Sequence, residues 1–253
     1  MDLGLKGKTV AVAGATRGIG RAIAKAFAAE GCNVGLCARG ADGLARVLAE
    51  LSDQGVAACG AVADVRDRDA VKRWIDGVAT ELGGLHGLVA NVSAFAVANE
   101  PEAWRDAFEV DLMGTIHCVD AALPYMEAAG GGAIVVVGST AAVETLGPGR
   151  PYDAPKTAQI TYVKSQSLGY AAKNIRFNVV SPGTTYFEGG RWDQVKAADP
   201  ARYQDFVERN PTSRMGTPEE IANAVVFIAS ARASFILSAN LIVDGGFTSR
   251  VQF

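Results

Sequence analysis

Short β-branched runs alternate with longer, helically patterned stretches from residue 8 to residue 243, and this alternation constrains the fold more than any other feature of the chain. Residues 8–13, 33–38, 57–62, 85–92, 133–137, 176–180 and 241–243 read as seven strands. Residues 18–30, 41–54, 67–82, 101–129, 150–173 and 218–230 read as helices. Strands separated by helices are the pattern of βαβ units. Several strands are apolar at nearly every position, as Ala-Ile-Val-Val-Val-Gly at 133–138 shows, so helices must cover both faces of the sheet. The expected fold is therefore α/β, a doubly wound, seven-stranded parallel sheet. No Pro/Ser-rich linker or shift of composition divides the chain, which favours one domain over 1–253. One irregular insertion, 184–211, follows the carboxyl end of a strand and holds five aromatics, the position and character expected of a substrate lid.

Composition narrows the function classes. With 49% apolar residues over 253 positions the chain can bury a large core, which excludes disordered and fibrous classes. A formal net charge of −3 with no run of Lys or Arg gives no electrostatic footprint for nucleic acid or an anionic membrane. Cys32, Cys37, Cys59 and Cys118 form no C-x-x-C pair, and the start lacks the layout of a signal peptide; free thiols and a cytoplasmic location are expected. No apolar run approaches the roughly 20 residues of a membrane span, the longest candidate at 222–237 being broken by Ser230, Arg232 and Ser234. His86 and His117 lie far apart without flanking Cys or paired carboxylates, so neither a metal site nor a Ser-His-Asp triad is expected.

Immediately after the first strand come Gly14, Thr16, Arg17, Gly18, Ile19 and Gly20, opening a helix with apolar Ile23, Ala26 and Phe27. Glycines there permit a tight turn and let backbone N–H groups and the positive helix end approach a pyrophosphate. The spacing is G-x-x-x-G-x-G, and with the surrounding Val-Ala-Gly-Ala-Thr-Arg-Gly-Ile-Gly-Arg-Ala-Ile-Ala it resembles the short-chain dehydrogenase/reductase family, whose fold is the Rossmann fold. The second strand ends Leu36-Cys37-Ala38-Arg39, with no acid to bind ribose hydroxyls or repel a phosphate. Arg39 and Arg17 are expected to clasp a 2′-phosphate, which makes NADP(H) the expected cofactor. The resemblance further implies that Asp64 meets the adenine amino group and that Val65 packs beside the ring. Asn91 lies in Ala90-Asn91-Val92-Ser93, where the family usually has Asn-Asn-Ala-Gly.

Tyr152 and Lys156 are four residues apart at a predicted helix start, hence on one face, and Ser139 ends a strand thirteen residues earlier. This Ser–Tyr–Lys order is the family's catalytic signature. A carbonyl being reduced needs a proton as hydride arrives, and a phenol with an ordinary pKa near 10 is a poor donor and acceptor at neutral pH. A neighbouring ammonium and the positive oxidised nicotinamide favour the phenolate. Ser139 is expected to hold the substrate oxygen, and Lys156 also to bind the nicotinamide ribose, as the resemblance implies. A fourth catalytic position, usually Asn in the family, is Asp111 here. Three roles are open to it: a water relay, which is the expected one, an ionic partner for Lys156, or a protonated amide mimic. Pro182, Gly183, Thr184 and Thr185 resemble the family's turn beside the nicotinamide, although Phe187 takes the commonest contact position.

Phe95, Val97, Leu146, Tyr186, Phe187 and Trp192 are expected to rim the catalytic Tyr in a largely apolar pocket, suited to an apolar or aromatic carbonyl or alcohol. Arg150 is the nearest obvious cation and a candidate to bind a carboxylate, with an exposed helix-start position as the favoured bland alternative. Reduction of a 3-oxoacyl thioester is a second reading, though 128–132 carries no basic residues for an acidic carrier protein. A catalytically silent nucleotide sensor is a third. Apolar Phe108, Leu112, Ile116, Ile160, Val163 and Leu168 on the two long helices, with the tail at 247–253, suggest subunit contacts and a homotetramer.

Overall fold

In a computed structural model, which describes residues 2–145, 147 and 149–251, the chain forms a single seven-stranded sheet. The strands are β1 (Thr9–Ala13), β2 (Asn33–Ala38), β3 (Ala58–Val62), β4 (Gly87–Ala90), β5 (Gly132–Val137), β6 (Ile175–Pro182) and β7 (Asn240–Val243). All neighbouring pairs run parallel, in the order β3-β2-β1-β4-β5-β6-β7. The chain builds outward from β1 to β3, then crosses back to lay β4 on the other side of β1. This reversal opens a crevice at the carboxyl ends of β1 and β4, where ligands of doubly wound sheets bind.

The helices are α1 (Gly18–Ala29), α2 (Ala41–Ser52), α3 (Arg68–Glu81), α4 (Pro101–Asp106), α5 (Gly114–Ala128), α6 (Asp153–Tyr170), α7 (Arg191–Ala198), α8 (Pro200–Arg209) and α9 (Pro218–Ala229). They cover both faces, and the two-residue period of the strands feeds two separate cores. Val10 and Val12 of β1 and Val135 of β5 point to one side, against Ile23 and Phe27 of α1, Leu51 of α2 and Val225 of α9. Ala11 and Ala13, with Ile134 and Val136, point to the other, against Trp74 of α3, Val119 of α5 and Val163 of α6. Double coverage is why these strands carry almost no polar residue. Both histidines serve structure: His86 Nδ1 accepts the Thr9 N–H at 3.1 Å, and His117 Nδ1 lies 2.9 Å from Val65 O.

Two helices differ from the sequence expectation. The stretch expected as one helix over 101–129 is α4 and α5 joined by a π-helical turn, Ala107–Met113. The helix expected from residue 150 begins only at Asp153, so Tyr152 sits at its N-cap and Arg150 lies in the preceding loop. The insertion after β6 contains α7 and α8. Its aromatics pack mostly on one another and on the tail: Trp192 lies 4.5 Å from Phe206 between ring centres, and Phe206 stacks on Phe247 at 5.7 Å. This third apolar cluster is separate from the two sheet cores. No helix among the described residues is long and apolar enough to cross a membrane.

Candidate active site

The carboxyl ends of β1, β2, β4, β5 and β6 open into one cleft of about 680 Å³. At one end Gly14, Thr16, Arg17, Ile19 and Gly20 form the turn from β1 into α1. A Cβ at Gly20 would stand 2.2 Å from Gly14 O and 2.4 Å from Asn91 Nδ2, so only glycine lets the turn close. Asn91 Nδ2 donates to Gly14 O at 3.1 Å, which ties β4 to the turn. Gly18 is absent from the lining for a definite reason. Its backbone has φ +50°, and Phe187 lies over it, so near that a Cβ would fall 2.7 Å from Cε1. The segment that follows β6 is thus in contact with the glycine turn through the Phe187 ring.

Arg39 and Arg17 both line this end. Asp64 and Val65 line it as well, but Asp64 is already engaged: Arg66 approaches its Oδ2 at 2.6 Å and donates from Nε at 3.1 Å. That hydrogen bonding holds the Asp64 carboxyl below the usual carboxylate range, with the charges of Arg66 and Arg39 adding to the effect against modest desolvation. The pairing of Arg66 was not read from the sequence, although its place two residues beyond Asp64 is the available signal.

At the other end Ser139, from just beyond β5, converges with Tyr152 and Lys156, from the N-cap and first turn of α6. Ser139 accepts the Ala141 N–H at 3.1 Å, which leaves its hydroxyl hydrogen free to donate. Lys156, on α6, is only 2% exposed. Its ammonium donates to Val137 O at 3.1 Å, lies 3.2 Å from Asp111 Oδ1 and sits 5.6 Å from the centre of the Tyr152 ring. The Asp111 contact is ionic, since Oδ1 lacks a directed hydrogen bond, while Oδ2 accepts the Ala94 N–H at 2.9 Å. Of the three arrangements open to Asp111, the geometry brings its carboxylate into direct ionic contact with the lysine.

The π turn makes this contact part of a buried bracket. The Asp111 carbonyl, within that turn, accepts from Thr115 Oγ1 at 2.6 Å and from Gln159 Nε2 at 2.7 Å. Gln159 also donates to Thr115 Oγ1 at 2.9 Å, so α6 grips α5 one turn beyond Lys156. Widened turns of this type are frequent at functional sites. Gln159 had no motif to mark it.

Pro182, Gly183, Thr184 and Thr185 line the cleft from the end of β6. Thr185 Oγ1 donates to Gly183 O at 3.2 Å, whereas Thr184 Oγ1 is buried with no partner among the described residues. An orphaned hydroxyl in the wall of a cleft is a group awaiting a ligand. Phe95, Val97, Phe187 and Trp192 form the apolar rim, as expected. Tyr186 does not belong to it: its hydroxyl donates to Asp193 at 2.8 Å and its ring faces Tyr203. Leu146 lies outside the described residues.

A family model described as Enoyl-(Acyl carrier protein) reductase matches residues 14–248, almost the whole chain. The chain belongs to the short-chain dehydrogenase/reductase family. Isoepoxydon dehydrogenase of Penicillium expansum is 35% identical over 259 residues, covering 100% of this chain and 99% of the relative. Cis-4-hydroxycyclohexanecarboxylate dehydrogenase of Sinomonas cyclohexanicum is 38% identical over 252 residues, covering 96% and 97%. Among solved structures, L-sorbose reductase from Gluconobacter frateurii, complexed with NADPH and L-sorbose, superposes with a TM-score of 0.92 at 29% identity, covering 99% and 100%. A 7 alpha-hydroxysteroid dehydrogenase complexed with NADH gives 0.91 at 29%, covering 99% and 98%. The chain is accordingly an oxidoreductase of the dehydrogenase/reductase kind, acting with a nicotinamide cofactor on small molecules.

Proposed function

We propose that the protein exchanges hydride between NADP(H) and a small alcohol/carbonyl pair, with Tyr152 as the proton donor and acceptor. The observation that carries this reading is the convergence of Ser139, Tyr152 and Lys156 on one cleft with the glycine turn. The cleft fits the cofactor: a turn too tight for any Cβ at Gly20, two arginines at its far end and the orphaned Thr184 hydroxyl all call for such a ligand. The nicotinamide supplies or takes up the hydride. Gly14, Thr16, Ile19 and Gly20 would hold the pyrophosphate, with Gly18 beneath the Phe187 ring, and Lys156 would hold the adjoining ribose. Asp64, Val65 and Asn91 flank the adenosine side, while Pro182, Gly183, Thr184 and Thr185 wall the nicotinamide side.

Ser139 donates to the substrate oxygen and holds it against the Tyr152 hydroxyl. In reduction that hydroxyl gives its proton to the oxygen and becomes the phenolate; in oxidation the phenolate takes the proton of the alcohol and becomes the hydroxyl again. The ammonium of Lys156 stands beside the phenol and stabilises the negative charge that develops on its oxygen as the proton leaves. Asp111 holds that ammonium in place in a buried setting.

Arg39 and Arg17 support NADPH over NADH, because a 2′-phosphate returns charge-assisted hydrogen bonds that a ribose hydroxyl cannot. Fluorescence titration should give a Kd for NADPH about 10- to 100-fold below that for NADH, with Arg39→Ala losing most of the difference. Equal affinities would contradict the NADP reading. The free thiols support work in the reducing cytoplasm.

We also read the protein as a homotetramer. Phe108 in the π turn, at 40% exposure, and Leu168 on α6, at 75%, leave apolar surface available, although Val163 is buried in the core rather than available for contact. Light scattering should return four times the chain mass; a monomer contradicts this.

A further inference from the structure

The substrate end of the cleft is walled by apolar side chains, yet one cation stands in it. Arg150 lines the cleft with its side chain 20% exposed, and its Cζ lies 5.9 Å from the centre of the Tyr152 ring. Among the described residues its guanidinium makes no hydrogen bond. The nearest acid is Asp153, whose Oδ1 is 3.6 Å from Arg150 Nε, buried and without a hydrogen-bond partner. Burial holds the Asp153 carboxyl above the usual carboxylate range, and the charge of Arg150 only partly opposes this. Asp153 therefore keeps the guanidinium in the loop without saturating it. The other cations of the cleft are otherwise placed: Arg17, Arg39 and Arg66 lie at the nucleotide end, Lys156 is paired, and Arg191 is exposed on the lid.

A planar guanidinium with its donors free binds a carboxylate through two parallel hydrogen bonds. From these contacts we infer that Arg150 anchors a carboxylate of the substrate, so that the preferred substrate is a compact hydroxy or keto acid. With the guanidinium over the face of the Tyr152 ring, 5.9 Å from its centre, a substrate that meets both groups would be compact. Phe95, Val97 and Trp192 supply apolar wall for the carbon skeleton between the two polar ends. Phe95 is held in a left-handed conformation, φ 51°, by a hydrogen bond from its N–H to Ser93 Oγ at 2.9 Å, and its ring lies 4.9 Å from that of Tyr152. That conformation is uncommon for a bulky residue and marks a position fixed for contact.

This inference rests on the reading of the cleft as a carbonyl-reducing site, and the two are separable by experiment. With NADPH, 4-oxocyclohexanecarboxylate and 4-methylcyclohexanone form a pair that differs in charge but little in size. Wild-type kcat/KM should favour the acid by about 10- to 100-fold, the range of a charge-assisted hydrogen bond, and Arg150→Met should cancel most of that ratio. Arg150→Lys should restore part of it, since the charge returns without the fork. Turnover of the neutral ketone with no advantage for the acid, or equal losses on both ketones in Arg150→Met, would overturn the anchor and leave the reductase reading intact. Absence of turnover with either ketone would count against the reductase reading. The anchor would then be judged by calorimetric titration of the NADPH complex, where cyclohexanecarboxylate should bind at least 10-fold more tightly than cyclohexanecarboxamide and lose that margin in Arg150→Met. Equal binding of acid and amide would overturn it.

Discussion

Tyr152→Phe is expected to lower kcat about 10³-fold, the scale of a lost general acid and base, while the protein stays folded. The substitution removes one oxygen from a side chain that is 8% exposed in the wall of the cleft and keeps the ring against Phe95. Ser139 and the ammonium of Lys156 remain, so a small residual rate is expected rather than none. The measurement is turnover of the reduced cofactor with a carbonyl substrate, alongside a melting temperature. Retention of more than about a tenth of the activity would remove Tyr152 from the proton-transfer role, since even the weakest general acid–base contributions reach about 100-fold.

The second large effect is on stability. Asp111 and Lys156 are 1% and 2% exposed, so Asp111→Ala leaves a buried ammonium with one carbonyl as its described partner. Breaking a buried pair by removing one member costs about 3–5 kcal/mol, because the remaining charge is left uncompensated. In a chain of this size about 1 kcal/mol corresponds to roughly 2–4 °C, so calorimetry should show Tm falling by about 10 °C. The Ala94 N–H also loses its acceptor, which loosens the loop carrying Phe95. Asp111→Asn keeps the shape and an acceptor, and should fall by less. A Tm within about 2 °C of wild type for Asp111→Ala would show that the ion pair is not what holds Lys156.

The architecture was legible because the physics behind it is local and repeated. A strand covered on both faces has no polar side, so 133–137 announces itself by five consecutive apolar residues. The glycine turn was legible for a related reason, since only glycine tolerates the approach of Gly14 O to position 20. The π turn at Ala107–Met113 was not legible, because one extra residue per turn leaves the apolar spacing of the flanking helices nearly unchanged. Gln159 was missed because its partners are a backbone carbonyl and a threonine hydroxyl on another helix, which no local pattern encodes. The Arg66–Asp64 pairing turned on a rotamer choice. Tyr186 was misplaced because aromatic residues in an insertion satisfy one another as readily as they line a pocket: its hydroxyl found Asp193 and its ring found Tyr203. Val163 shows the same limit for surfaces, since helical spacing does not reveal how much of a helix its neighbours cover.

One measurement bears directly on hydride exchange at this cleft. The protein is incubated with NADPH deuterated at the transferring position of the nicotinamide, together with a panel of small cyclic ketones, and the alcohols formed are weighed by mass spectrometry. The expected result is one deuterium per product molecule, with product from Tyr152→Phe accumulating about 10³-fold more slowly. Tight NADPH binding without deuterium in any alcohol, or a labelled product formed equally fast by Tyr152→Phe, would contradict the assignment of this cleft as a reductase site.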